Sequence, residues 1–164
     1  MLRTKLIIFG TGIISDCLSP FFENCDSFDV IAYCVDDEFK KKDTFRGKPI
    51  ISLVDLDNNY GSQNFKIFVA LGYHELNKLR EKKFNYFKSK GYALVSFIPE
   101  SYKSMPIDIG ENCLILPGVN IQPHCKIEDN TFIWNDALVG HHTLIKKNAW
   151  ITCLLYTSPS PRDA

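Results

Sequence analysis

From Ile109 onward, one aliphatic residue returns at every sixth position: Ile109, Ile115, Ile121, Ile127, Ile133, Val139, Ile145 and Ile151. Four positions after each of the first seven stands a small or β-branched residue: Cys113, Val119, Cys125, Thr131, Ala137, Thr143 and Ala149. An amphipathic helix repeats near 3.6 residues and a half-buried strand at 2, so neither produces this spacing. A β-helix does. Each six-residue side turns one aliphatic inward, a smaller residue fits near the corner, and stacked turns build a continuous apolar column. Three sides close one coil, so Ile109 to Lys126 is one coil, Ile127 to Leu144 a second, and a third begins at Ile145.

The first hundred residues follow another rhythm. Lys5 to Phe9 is an apolar run, Gly10, Thr11 and Gly12 follow at once, and Ile13 to Phe22 has helical apolar spacing. Phe28 to Val35 is a second apolar run that ends at Asp36 and Asp37. Strand, glycine turn, helix, strand and acidic pair open a nucleotide-binding α/β unit. Glycines let the backbone approach a phosphate, and free N–H groups at a helix start attract the anion. A carboxylate after the second strand can accept from ribose or sugar hydroxyls. Ser15 stands where the dinucleotide fingerprint has its third glycine, so GxGxxS is a weak signal. A nucleotide-sugar pocket, a nicotinamide pocket and a purely structural turn all remain open.

The unit continues with a short strand at Gly47 to Ile51, a short helix at Leu53 to Leu56, and a buried strand at Lys66 to Leu71 before Gly72. Asn77 to Lys90 reads as a surface helix whose apolar face carries Leu79, Phe84, Tyr86 and Phe87, with Gly91 closing it. Ala93 to Ile98 reads as the last strand. Gly72 ends a strand on the same sheet edge as Gly10 and Gly12, where open α/β sheets bind ligands. The pocket-lining candidates are therefore Gly10, Thr11, Gly12, Asp36, Asp37 and Gly72. His74 follows as a loop bystander.

Composition excludes several classes. Nineteen basic residues balance nineteen acidic ones in the 164-residue chain, which leaves no electrostatic footprint for nucleic acid or an anionic membrane. Lys40 to Lys42 are surrounded by Asp36, Asp37, Glu38 and Asp43, as in a solvated loop. The apolar start is too short for a signal-peptide core or a membrane span. Six cysteines show no CxxC pair and no finger spacing, so they are expected to be reduced, mostly buried thiols of a cytoplasmic protein. The run from Cys153 to Asp163 breaks the repeat and matches the translation of a sequencing adapter, so residues 153–164 are expected to be foreign. On that reading the natural chain continues past Thr152. The expected organisation is an α/β domain at 1–100, an incomplete β-helix at 101–152, and the tail.

Taken together, Ile8–Gly12, Val35–Asp37, Phe68–Tyr73, Ile109–Cys113 and Trp134–Thr143 resemble one family. It is that of the hexapeptide-repeat sugar O/N-acyltransferases related to sialic-acid O-acetyltransferase and the bacillosamine-pathway acetyltransferases. The most specific stretch is Gly140-His141-His142 inside a repeat. The resemblance implies a small Rossmann-like parallel-sheet domain followed by a left-handed parallel β-helix. It also implies a homotrimer, acetyl-CoA as co-substrate between neighbouring helices, no metal, and a nucleotide-linked sugar on the α/β domain. It makes His141 the general base. Its bacillosamine branch has a carboxylate beside the base; here the neighbour is His142, so both histidines are candidate catalytic residues and the choice of amine or hydroxyl acceptor stays open.

The chemistry is suitable. An unperturbed imidazole titrates near ~6.5, so it can be neutral at working pH and take the proton that the acceptor loses. His124 lies one coil before His142, so the two are expected to stack. That leaves a second reading, a carbonic-anhydrase-like metal site built from His124, His141 and His142 across subunits, since a catalytic zinc needs three ligands and an open position. A third is a sugar-nucleotide-binding module without chemistry. With only two full coils, the chain by itself is expected to be inactive.

Overall fold

The computed structural model describes residues 3–153, and it divides between Phe97 and Ile98 into two compact units. Of the expected foreign tail, residues 154–164 lie outside the described residues.

The first unit is a five-stranded sheet in the order β3-β4-β2-β1-β5. Its strands are β1 (Thr4–Phe9), β2 (Phe28–Val35), β3 (Thr44–Phe45), β4 (Lys48–Ser52) and β5 (Lys66–Val69). All neighbours are parallel except the short β3–β4 hairpin. Helices α1 (Ile13–Glu23), α2 (Leu53–Asn59) and α3 (Lys78–Ser89) connect them. Strands flanked by helices must be apolar on both faces, and Leu6, Ile7, Ile8, Ile67, Phe68 and Val69 are almost completely buried. Helix α1 buries Ser15, Leu18, Ser19 and Phe22 along one stripe. The third fingerprint glycine normally permits close helix–strand packing. Ser15 stands at that position in this chain and is fully buried. Helix α2 starts in a capping box, with the Ser52 hydroxyl accepting from the Asp55 N–H and the Asp55 carboxylate accepting from the Ser52 N–H.

Two expectations for this unit need correction. The strand expected at Ala93 to Ile98 is reduced to isolated bridge positions, Leu94, which pairs with Ile67, and Phe97. The Phe97 ring packs on Phe21 and Phe22, with ring centroids 5.5 Å from each. Helix α3 is not simply apolar on its inner face: Arg80 and Lys83 are buried with Phe84 and Phe87, whereas Leu79 is 38% exposed.

The second unit is a parallel β-helix of two-residue strands. They are β6 (Asp108–Ile109), β7 (Leu114–Ile115), β8 (Asn120–Ile121), β9 (Lys126–Ile127), β10 (Phe132–Ile133), β11 (Leu138–Val139), β12 (Leu144–Ile145) and β13 (Trp150–Ile151). They form three ribbons, β6-β9-β12, β7-β10-β13 and β8-β11. Each strand pairs with the one eighteen residues on: Ile109 with Ile127, Ile115 with Ile133, Ile121 with Val139. The six-residue aliphatics from Ile115 to Ile145 are all buried, Ile127 at 1% and Ile133 at 0% exposure.

What turns the chain is a second residue series. Three positions after each aliphatic stands a residue with positive φ: Asn112, Gly118, His124, Asn130, Asp136, His142 and Asn148. Asn, Asp, His and Gly are the residues that tolerate this left-handed conformation. On one edge the corners are all asparagine, and their amides form a ladder. Asn112 Nδ2 donates to Asn130 Oδ1 at 2.8 Å, and Asn130 Nδ2 to Asn148 Oδ1 at 2.7 Å. The small residues after the corners also bond across coils. Cys113 Sγ donates to the Glu128 carbonyl at 3.3 Å, Cys125 Sγ to that of Gly140 at 3.0 Å, and Thr131 Oγ1 to that of Lys146 at 3.1 Å. Half of the six free cysteines are thus buried, Cys34, Cys113 and Cys125, fewer than expected; Cys17 and Cys153 are exposed.

Candidate active site

The cleft of the first unit lies at the C-terminal ends of β1, β2 and β5. Gly10 leaves β1 with φ +119, and a Cβ there would sit 2.9 Å from the Ala70 carbonyl oxygen. Only glycine lets these neighbouring chain segments pass so closely. Gly12 is different. It is the extended N-cap residue of α1, and a Cβ on it would meet nothing within 4 Å. That open space fronts the free N–H groups of the helix start, where an anion is favoured.

Gly10, Thr11 and Asp36 line one cavity of about 180 Å³, together with Phe9, Phe39 and Lys83. Asp36 and Asp37 line a second, and Gly72 a third with Tyr73 and His74; Leu79 borders all three. Gly12 lines none of them. A residue absent from the sequence reading controls the centre: Lys83 of α3 reaches Asp36 in an ion pair, and its ammonium lies over the Phe9 ring, 5.1 Å from the centroid. Asp36 is therefore already paired to a cation. Nothing in the lysine-rich run Lys78–Lys90 singled out Lys83; only helical phase against Phe84 and Phe87 could have done so. Beneath the cleft, burial first and the Asp36 charge second push the Cys34 thiol far up, which keeps it neutral and unreactive.

On the β-helix, His124, His141 and His142 gather on one exposed corner. His142 and His124 hold equivalent left-handed positions one coil apart, and their rings stack with centroids 5.0 Å apart. His141 precedes the corner. Its backbone N–H donates to Gln122 Oε1 at 2.9 Å, and the carbonyl just before it accepts from Cys125 Sγ. The preceding coil thus clamps the peptide that carries His141. Its ring stands nearly perpendicular to that of His142, with the two Nδ1 atoms 3.1 Å apart. Gln122 and Cys125 escaped the sequence reading; their distance of about one coil before His141 was the available signal. Within the chain, no group of three His, Cys, Asp or Glu among the described residues is placed to hold a metal ion. Also among the described residues, no helix is long and apolar enough to cross a membrane.

A Rossmann-like unit with open space before its first helix, joined in one chain to hexapeptide coils bearing an exposed imidazole pair, defines the architecture of hexapeptide-repeat sugar acyltransferases. Comparison with known families agrees. Residues 5–87 match the PglD N-terminal domain, half of the chain, and residues 106–141 match the bacterial transferase hexapeptide (six repeats). The chain belongs to this family of hexapeptide-repeat sugar acetyltransferases. Among solved structures, the acetyltransferase domain of PglB from Neisseria gonorrhoeae superposes with a TM-score of 0.74 at 19% identity, over 92% of this chain and 72% of that one. PerB from Caulobacter crescentus, solved in complex with CoA and GDP-perosamine, superposes at 0.75 with 24% identity, over 91% and 69%. WeeI from Acinetobacter baumannii gives 0.51 at 17% identity, over 91% and 73%. No curated protein matches the chain by sequence.

Proposed function

We propose that this chain moves an acetyl group from acetyl-CoA to the amine of a nucleotide-linked sugar, with His141 as the general base. The observation that carries the reading is the clamped, exposed imidazole of His141 on hexapeptide coils that follow a nucleotide-type cleft. The acceptor amine attacks the thioester carbonyl carbon and its proton passes to His141. The C–S bond then breaks, and the CoA thiolate takes that proton from the imidazolium, so the products are the amide and CoA thiol. A positioned base typically contributes ~10²–10⁴-fold, and the rest comes from holding the two substrates together.

The choice of amine over hydroxyl follows the likeness to the perosamine N-acetyltransferase of Caulobacter crescentus. In the first unit, Gly10, Thr11, Gly12, Asp36, Asp37 and Gly72 are assigned to the nucleotide-linked sugar, with phosphate at the start of α1. The assembly is a cytoplasmic homotrimer. Thioester release from acetyl-CoA, followed with a panel of UDP-, GDP- and dTDP-amino sugars, tests the reading. It is run on this chain and on a chimera continuing it past Thr152 with the remaining coils of the Neisseria domain. The two-coil chain is expected to be the slower. In the chimera His141→Ala should lower kcat by about two to four orders of magnitude with KM little changed. Full activity of the alanine variant would remove His141 from its role.

A further inference from the structure

Two imidazoles that face each other through Nδ1 at 3.1 Å cannot be independent. One Nδ1 must carry the hydrogen and the other must offer its lone pair. If His141 donates, its Nε2 keeps a lone pair and can take a proton. If His142 donates, the Nε2 of His141 holds the hydrogen and His141 cannot act as a base through that atom. Tautomer choice in this pair therefore decides which histidine is basic on its outer nitrogen. Among the described residues of this chain, the hydrogen bond of the pair runs between the two Nδ1 atoms.

The surroundings break the symmetry. His142 is pinned twice: its backbone occupies the left-handed corner at φ 58, and its ring lies against that of His124. A positive charge on His142 would face a second titratable imidazole across that stack. The His141 ring instead meets His142 edge-on, with centroids 5.2 Å apart. After proton uptake, the Nδ1–H of His141 still points at a neutral acceptor, and a hydrogen bond from a charged donor is the stronger kind.

We propose that His142 is a positioning residue: its Nδ1 accepts from His141 Nδ1–H, which fixes the tautomer that leaves His141 Nε2 basic. His124 supports it by holding the His142 ring in register. This rests on the reading of His141 as the base, but it concerns a ground-state property that exists without substrate.

The corner chemistry supplies a clean test. Gly118 occupies an equivalent corner, so His142→Gly removes the imidazole while keeping the backbone conformation. Nitrogen-15 NMR of the histidine rings in this chain, recorded at a pH where the imidazoles are neutral, reads the tautomer directly. In the unsubstituted chain His141 should show a protonated Nδ1 and an unprotonated Nε2. In the His142→Gly chain the hydrogen should redistribute towards Nε2. In the active chimera the same change should lower kcat by roughly ten-fold with KM held, because only the fraction of His141 in the right tautomer acts. An Nε2–H tautomer of His141 in the unsubstituted chain, or the same tautomer in both chains, overturns the proposal. Absence of acetyl transfer together with the expected tautomer shift would overturn the functional reading and leave this one standing.

Discussion

The two units solve one problem, how to bend a chain sharply beside a candidate site, by opposite means. In the α/β unit the bend falls at a unique place, and the residue there is chosen by a neighbour from far along the sequence. Gly10 is glycine because Ala70 passes it. In the β-helix the bend recurs every six residues and is chosen locally, by tolerance of positive φ at Asn112, Gly118, His124, Asn130, Asp136, His142 and Asn148. A site built the first way is one of a kind. A site built the second way occupies a slot in a repeating lattice, with equivalent slots above and below that report what the slot requires.

Substitutions at the bends should break this contrast most visibly. Asn130→Ala places a β-carbon at φ 59 and removes the middle rung of the amide ladder. The left-handed conformation costs about 1–2 kcal/mol and the orphaned buried amides about 1–3 more, so unfolding by urea should show a loss of roughly 3 kcal/mol. Asn130→Gly keeps the bend and should lose only the ladder part. Equal losses in the two variants would mean that the left-handed turn carries no strain.

Gly10→Ala should cost about 1–3 kcal/mol through its φ of +119, and the 2.9 Å approach to the Ala70 carbonyl adds to that. Gly12→Ala, two positions on, should leave stability within about 0.5 kcal/mol and weaken nucleotide-sugar binding in calorimetry, because the added methyl enters the open space before α1. NADH binding in place of nucleotide sugars in that experiment would turn the cleft into a nicotinamide site. A stability loss at Gly12 as large as at Gly10 would show that both glycines are structural.

The smallest effect belongs to a surface pair. Arg46 joins Glu23 at 2.9 Å and Asp16 at 2.8 Å. The hydrogen bond from Arg46, more than any other influence, holds the Glu23 carboxyl below its ordinary value of 4.5. A carboxyl lowered in the folded state adds stability above its unfolded value, and this is lost as pH falls through the folded value. Arg46→Met should therefore cost below about 1 kcal/mol at neutral pH, and the gap between the two proteins should narrow as the pH falls below the ordinary value of 4.5 and through the lower folded value. A gap unchanged down to pH 3 would assign the effect to lost packing instead.

The contrast also explains what could be read from the sequence. The aliphatic column from Ile109 to Ile151 was legible because the same physical demand is repeated eight times along one line of text. The corner series was equally periodic, yet its members, Asn, Gly, His and Asp, share a backbone tolerance and not a polarity, so a hydrophobicity reading passes over them. His141 stood out as part of a Gly-His-His run. Its clamp, Gln122 and Cys125, did not, because partners across coils are visible only once the register of eighteen is imposed. In the α/β unit, Gly10 to Gly12 and Asp36 were legible as local punctuation. The Lys83–Asp36 pair was not, since it joins residues 47 apart through a helix whose other lysines face water. Residues 93–98 have strand composition, but a strand needs a partner along its length, and here only the isolated positions Leu94 and Phe97 form bridges.

The corner slots bear on how such a site can arise. Asn, Asp and His codons differ from one another only at the first base, and all three residues already occur at the turns of this helix. A coil can therefore acquire or discard an imidazole at its edge through a single nucleotide change, with the backbone unaltered. Stacked coils offer the same opportunity at each level. The His124–His142 column lies within easy mutational reach of the asparagine column on the neighbouring edge, and a lineage could shift reactive groups up or down the helix without rebuilding it.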